Sequence, residues 1–144
     1  MSPCCWPCRR PPTRSPTAGD WQGEGRIIRE DGASARLRCR LSGTTPDSQS
    51  WHAEITCASV EGRFDGTWAL RQTGARVSGT GHLRSDTPED FTITGRVTPD
   101  YTVFDVGDRV RVQVNIAPDG FEMRFAEIGA ASNAPGGGIV RFSR

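Results

Sequence analysis

The chain has 144 residues, enough for one domain with a modest core, and sets 18 basic side chains against 17 acidic ones. The small surplus sits in residues 1–20, where three arginines face only Asp20; residues 21–144 carry 15 basic and 16 acidic groups. The body therefore lacks the positive excess that favours nucleic acid or an anionic membrane, and no apolar run approaches the roughly 20 residues of a transmembrane helix.

Residues 1–20 hold five of the ten prolines and three of the five cysteines, with almost no aliphatic side chains. Such a segment has no hydrophobic face to bury and is expected to be a disordered tail ahead of a body spanning 21–144. It lacks the apolar stretch of a signal peptide. Cys5-Trp6-Pro7-Cys8 has C-x-x-C spacing, but no helix follows to lower a thiol pKa, and no second ligand pair completes a zinc site. Palmitoylation of Cys4 and Cys5 has no motif to support it. No cofactor or metal is expected. All the basic residues are arginine; GC-rich coding explains this better than a dedicated phosphate or carboxylate site.

From Trp21 onward the apolar residues alternate with period two, and Gly, Asp and Pro punctuate every 8–12 residues. Helical periodicity is absent. This pattern predicts strands at 21–30, 33–42, 50–59, 63–72, 75–84, 90–98, 101–105, 108–117, 121–129 and 138–143. Short links favour neighbours in chain order, and closing the meander removes its edges. The expected fold is all-β: a single antiparallel up-and-down barrel of about 8–10 strands.

Three hairpins have registers that follow from the residues. On 33–42 the set Ala35, Leu37, Cys39 and Leu41 faces in, leaving Arg36, Arg38 and Arg40 as an outer stripe. On 50–59 the inward set is Trp51, Ala53, Ile55, Cys57 and Ser59. Placing Cys39 opposite Cys57 brings Leu41 to Ile55 and Leu37 to Ser59, with Cα atoms at disulfide distance. A disulfide implies an oxidising compartment, periplasmic or extracellular; two buried thiols in a reducing one are the other reading. Around Thr73-Gly74, a two-residue turn pairs Leu70 with Val77, Trp68 with Gly79, Gly66 with Gly81 and Phe64 with Leu83. Around Pro118-Asp119, Ile116 meets Phe121, Val114 meets Met123 and Val112 meets Phe125.

Gly19-Asp20-Trp21 and Gly66-Thr67-Trp68 resemble the G-x-W signature of calycin barrels, the lipocalins, avidins and their relatives. Gly66-Thr67-Trp68-Ala69-Leu70 followed by Val77-Ser78-Gly79-Thr80 is similar to an avidin-type hairpin. The pattern also resembles small exported bacterial barrels of unknown function. The resemblance implies that Trp21 packs at one barrel end beneath an arginine of the last strand, Arg141 or Arg144. The polar biotin-binding residues of avidins are not recognisable.

Chemistry is sparse. His52 and His82 fall on the outer face, without the base–nucleophile partners of covalent catalysis. Glu30-Asp31, Glu89-Asp90, Asp105 with Asp108, and Asp119 are assigned to turns, where carboxylates serve turn hydrogen bonding. Gly136-Gly137-Gly138 lacks the Lys-Ser/Thr of a phosphate loop. The expectation is a non-enzymatic exported barrel binding a small apolar molecule, lined by Trp51, Phe64, Trp68, Leu70, Val77, Phe91, Ile93, Val112, Val114, Met123 and Phe125. The alternative is a filled barrel acting as an envelope protein-interaction or inhibitor module, through the Arg36–Arg38–Arg40 stripe or its loops. Neither nucleic acid nor membrane spanning is expected, and the sequence does not fix the oligomeric state.

Overall fold

The computed structural model describes residues 18–60, 62–84, 88–131 and 133–144; the tail cysteines lie outside them. Ten strands follow in chain order: β1 (Gly19–Ile28), β2 (Ser34–Thr44), β3 (Ser50–Ser59), β4 (Gly62–Thr73), β5 (Arg76–Arg84), β6 (Glu89–Val97), β7 (Tyr101–Val106), β8 (Val110–Ala117), β9 (Gly120–Glu127) and β10 (Gly138–Ser143). Each pairs antiparallel with its neighbours in sequence, and β10 pairs with β1 to close the barrel. The all-β, up-and-down architecture is as expected, except that Gly19 and Asp20 belong to the first strand rather than to the tail.

Period-two side-chain geometry converts directly into burial. β2 alternates strictly, with Ala35, Leu37, Cys39 and Leu41 buried and Arg36, Arg38 and Arg40 exposed. The inward sets of all ten strands merge into one core, in which Phe121 and Phe142 are fully buried. Each such side chain is worth about 1.5–3 kcal/mol in transfer free energy.

Two of the three hairpin registers stand as expected. Cys39 lies opposite Cys57 and Leu41 opposite Ile55; Ile116 lies opposite Phe121, Val114 opposite Met123 and Val112 opposite Phe125. The β4–β5 hairpin differs. Its turn is Gly74-Ala75, closed by Thr73 opposite Arg76, so Leu70 faces Gly79, Trp68 faces Gly81 and Gly66 faces Leu83. Gly74 has φ of +63° and the following Ala75, like every other described non-glycine residue, does not have positive φ, the signature of a type II′ turn with glycine first. The expected turn would put β-branched Thr73 in that first position. The shift is two residues, so every side chain keeps its face.

Glycines mark where strands press together. A Cβ on Gly79 would sit 1.9 Å from the Ala69 carbonyl oxygen, and one on Gly25 would sit 1.8 Å from that of Ile139. Only a residue without a Cβ permits those approaches, which bend the sheet into a closed wall.

Candidate functional site

The two ends of the barrel are built differently. At the end where β1 begins and β10 finishes, the terminal end, Trp21, Leu41, Phe121 and Phe142 are buried. Trp21 meets Phe121 edge-on at 5.1 Å, and Phe121 stacks on Phe142 at 4.7 Å. The Arg144 guanidinium lies 4.5 Å over the Trp21 ring and donates to the Ala18 carbonyl at 3.1 Å. Arg144 is thus the capping arginine, whereas Arg141 lies outside and binds Glu122 at 3.2 Å. Trp51 and Val97 are half-buried near this end, and Ile116 projects past the rim at 63 % exposure.

Around the opposite end, inward-phase apolar residues of seven strands are only half-buried: Ile27, Phe64, Leu83, Phe91, Val106, Val110 and Phe125. Val60 and Ile128 are exposed in the adjoining loops. Beside this mouth, Arg109 binds Glu89 at 3.0 Å and lies 5.8 Å over the Phe91 ring.

The lining set expected from sequence therefore divides. Leu70, Val77, Ile93, Val112, Val114 and Met123 are buried core, while Trp51, Phe64, Trp68, Phe91 and Phe125 are half-buried. Trp51 meets Trp68 edge-on at 5.3 Å, and Trp68 reaches Phe104 at 6.3 Å although two strands separate them in the sheet. That last contact bridges the interior. The indole Nε1 atoms of Trp51 and Trp68 are buried without a hydrogen-bond partner among the described residues. Phe104 and Phe142 were not singled out from sequence, although the alternation of their strands puts both inward.

Cys39 and Cys57 form a disulfide, S–S 2.05 Å, with Cα atoms 4.1 Å apart. It ties β2 to β3 inside the core.

The outer face is organised by ion pairs. Arg36 binds Glu24 at 2.6 Å, and this bond holds the Glu24 carboxyl below the usual carboxylate range, helped by the charge of Arg38. Among the described residues Arg38 and Arg40 have no ion-pair partner within 4.0 Å, so only the first arginine of the stripe is neutralised by direct contact. Arg111 forms a fork on Asp105, 2.7 and 3.0 Å, which lowers the Asp105 pKa and raises its own. Arg124 and Arg141 both bind Glu122 and lower its pKa. The Asp65 carboxyl is held down first by the Thr56 hydroxyl at 2.7 Å, then by Arg63. Asp105 lies in β7, and Glu89 and Asp90 lie in β6, rather than in turns.

A concavity of about 740 Å³ lies over the outer face of β2 to β6, bordered by Ser42, Thr44, His52, Glu54, Thr67, Ala69, Thr80, His82, Asp90 and Thr92 among others. His52 and His82 point outward, as expected, and the Nδ1 atom of His82 lies 2.6 Å from Asp90 Oδ1. No single hairpin of the sequence brings these residues together. Among the described residues no three His, Cys, Asp or Glu side chains converge on a metal position. Comparison with known proteins adds no identity: no family model matches the chain, and no curated protein matches it.

Proposed function

We propose that this chain is a non-enzymatic binding barrel that takes a small apolar molecule, or the apolar end of a larger one, into its mouth. The observation that carries this reading is the asymmetry of the interior. Side chains of the same inward phase are sealed on β1, β2, β9 and β10 at the terminal end, where Trp51, Val97 and Ile116 are the exceptions, and are only half-buried around the other, on β1 and β4 to β9. An apolar concave rim with few polar groups is the usual chemistry of a small-molecule site. The Arg109–Glu89 pair gives it a polar edge. The disulfide suits an oxidising compartment, periplasmic or extracellular, and the barrel is proposed to work there.

The test is a fluorescence titration with an apolar naphthylamine probe on the oxidised, delipidated chain. Saturable binding is expected, weakened about tenfold or more by Phe91→Asp or Val110→Asp. Ile116→Asp, on the opposite rim, leaves it unchanged. Folded mouth variants that bind the probe as well as the parent would refute the reading. Native mass spectrometry of freshly purified protein adds a direct search for a retained ligand.

A further inference from the structure

The outer concavity differs from the rest of the surface in its charge. Seven acidic side chains project outward from the strands: Asp20, Glu24, Glu54, Asp65, Asp90, Asp105 and Glu122. Four of them, Glu24, Asp65, Asp105 and Glu122, have an arginine partner. Among the described residues Asp20, Glu54 and Asp90 have none; Asp20 accepts from the Ser42 hydroxyl at 2.9 Å and Asp90 faces His82.

These three share one cross-strand row. The registers place Asp20 opposite Ser42, Ser42 opposite Glu54, Glu54 opposite Thr67, Thr67 opposite His82 and His82 opposite Asp90. The next row runs Thr44, His52, Ala69, Thr80 and Thr92. Most of the residues of both rows border the concavity, and among the described residues no arginine does. In a chain with 18 arginines, this stretch of strand surface keeps carboxylates without an arginine partner among the described residues, over a floor of threonine methyls, hydroxyls, Ala69 and the two histidines. Strand spacing near 4.8 Å puts Glu54 and Asp90, three strands apart, at about 14 Å.

We propose that this groove binds an extended aliphatic polyamine, with ammonium groups on Glu54 and Asp90 and the methylene chain along Thr67, Ala69 and Thr80. Three features select this occupant. The uncompensated charge is negative, so anions are repelled. The carboxylates are far apart, so one compact cation reaches only one of them. The floor between them offers short apolar groups and hydroxyls that suit methylenes and secondary amines, and the volume lies within the range of small-molecule sites. The concavity also borders Phe91 at the mouth and Trp68 of the interior, but the acids that define it lie on the outer face and do not depend on the reading of the interior.

Isothermal titration of the oxidised full chain with spermine at low ionic strength tests this, with 1,4-diaminobutane, too short to span both acids, and a neutral trisaccharide as comparisons. Spermine should bind saturably at one site and more tightly than the diamine. Glu54→Gln and Asp90→Asn should each weaken it about three- to fivefold, the size of one exposed ion pair. Glu122→Gln, which removes an acid already held by arginine elsewhere, should leave affinity unchanged. Unchanged circular dichroism spectra confirm that each variant is folded. Equal losses at Glu54 and Glu122, or no saturable heat, would overturn the proposal by reducing the effect to general charge attraction. Binding of the trisaccharide as tight as that of spermine would overturn the cationic assignment.

Discussion

Reduction of the Cys39–Cys57 bridge isolates the contribution of one covalent tie to the barrel. The two cysteines are 18 residues apart in sequence. On the chain-entropy model, closing a loop of that length removes about 11 cal/mol/K from the unfolded ensemble, or about 3 kcal/mol at 25 °C. For a domain of this size, unfolding entropy near 2 cal/mol/K per residue converts that into a fall in melting temperature of roughly 12 °C. Both sulfurs are buried, with Cys39 and Cys57 at 4 % and 2 % exposure. Reduction therefore removes the tie while keeping almost all the packed atoms. Calorimetry should compare oxidised and reduced protein in a background where Cys4, Cys5 and Cys8 are serine, so that only this pair changes redox state. Intact mass should rise by two hydrogens on reduction. A shift under about 3 °C would refute the argument, and would mean that the β2–β3 pairing already constrains the unfolded chain.

Other outcomes follow from the same geometry. Trp21→Ala should cost about 3–5 kcal/mol by opening the sealed end, and Arg144→Ala about 1 kcal/mol through the lost cation–π stack and the bond to Ala18. Arg141→Ala, confined to an exposed ion pair, should stay within about 0.5 kcal/mol in the same denaturant titrations. Gly79→Ala should destabilise by about 3 kcal/mol or more or prevent folding, because its Cβ would strike the Ala69 carbonyl. Gly66→Ala, with its nearest neighbour at 3.5 Å, should be tolerated. Asp105 has a folded pKa below its unfolded value, so its contribution is complete above the ordinary carboxylate range and is lost as pH falls through the lower folded pKa. Asp105→Asn should therefore flatten the acid limb of the stability curve, by at most about 1 kcal/mol at neutral pH, and a limb of unchanged slope would refute this.

How much of this was legible in the chain depends on the range of the interaction. Strand positions follow from local alternation, which β2 displays without a break. Register is legible where one short turn fixes it, as at Pro118-Asp119, or where two cysteines share an inward phase. At Thr73-Gly74-Ala75 two placements of the turn keep the same faces. Only the backbone requirement for glycine at the first turn position separates them. Closure of β1 against β10 has no connecting turn, so the sequence carried no register for it. The sealed end depends on that closure, since it joins Trp21 to Phe121 and Phe142. The groove was illegible for a related reason. Its two rows run across six and five strands, and single hairpins show neither that Asp20 and Asp90 share a row nor that arginine is missing along it.

The interior asymmetry has a packing cause that also bounds what the mouth can accept. Large rings sit where a neighbouring strand offers glycine: a Cβ on Gly23 would lie 2.7 Å from Phe142, and one on Gly138 would lie 2.5 Å from Phe125. Trp68 faces Gly81 across the β4–β5 pair. Glycine lets those rings lean into the barrel, and the Trp68–Phe104 contact joins β4 to β7 across two intervening strands. Below that level the interior is occupied by side chains; above it the half-buried rim remains. On the proposed reading, a ligand therefore enters from the rim and is stopped at Trp68 unless that ring turns. Turning it would also disturb Trp51, whose indole packs against it. Both indole N–H groups lack an acceptor among the described residues, which leaves a buried donor uncompensated by about 1–3 kcal/mol each. A ligand carrying a carbonyl or ether oxygen at its leading end recovers part of that cost, whereas a pure hydrocarbon recovers none. Among apolar probes of equal size, those with a leading acceptor oxygen should accordingly bind more tightly, and replacing both Trp51 and Trp68 by Phe should erase the difference.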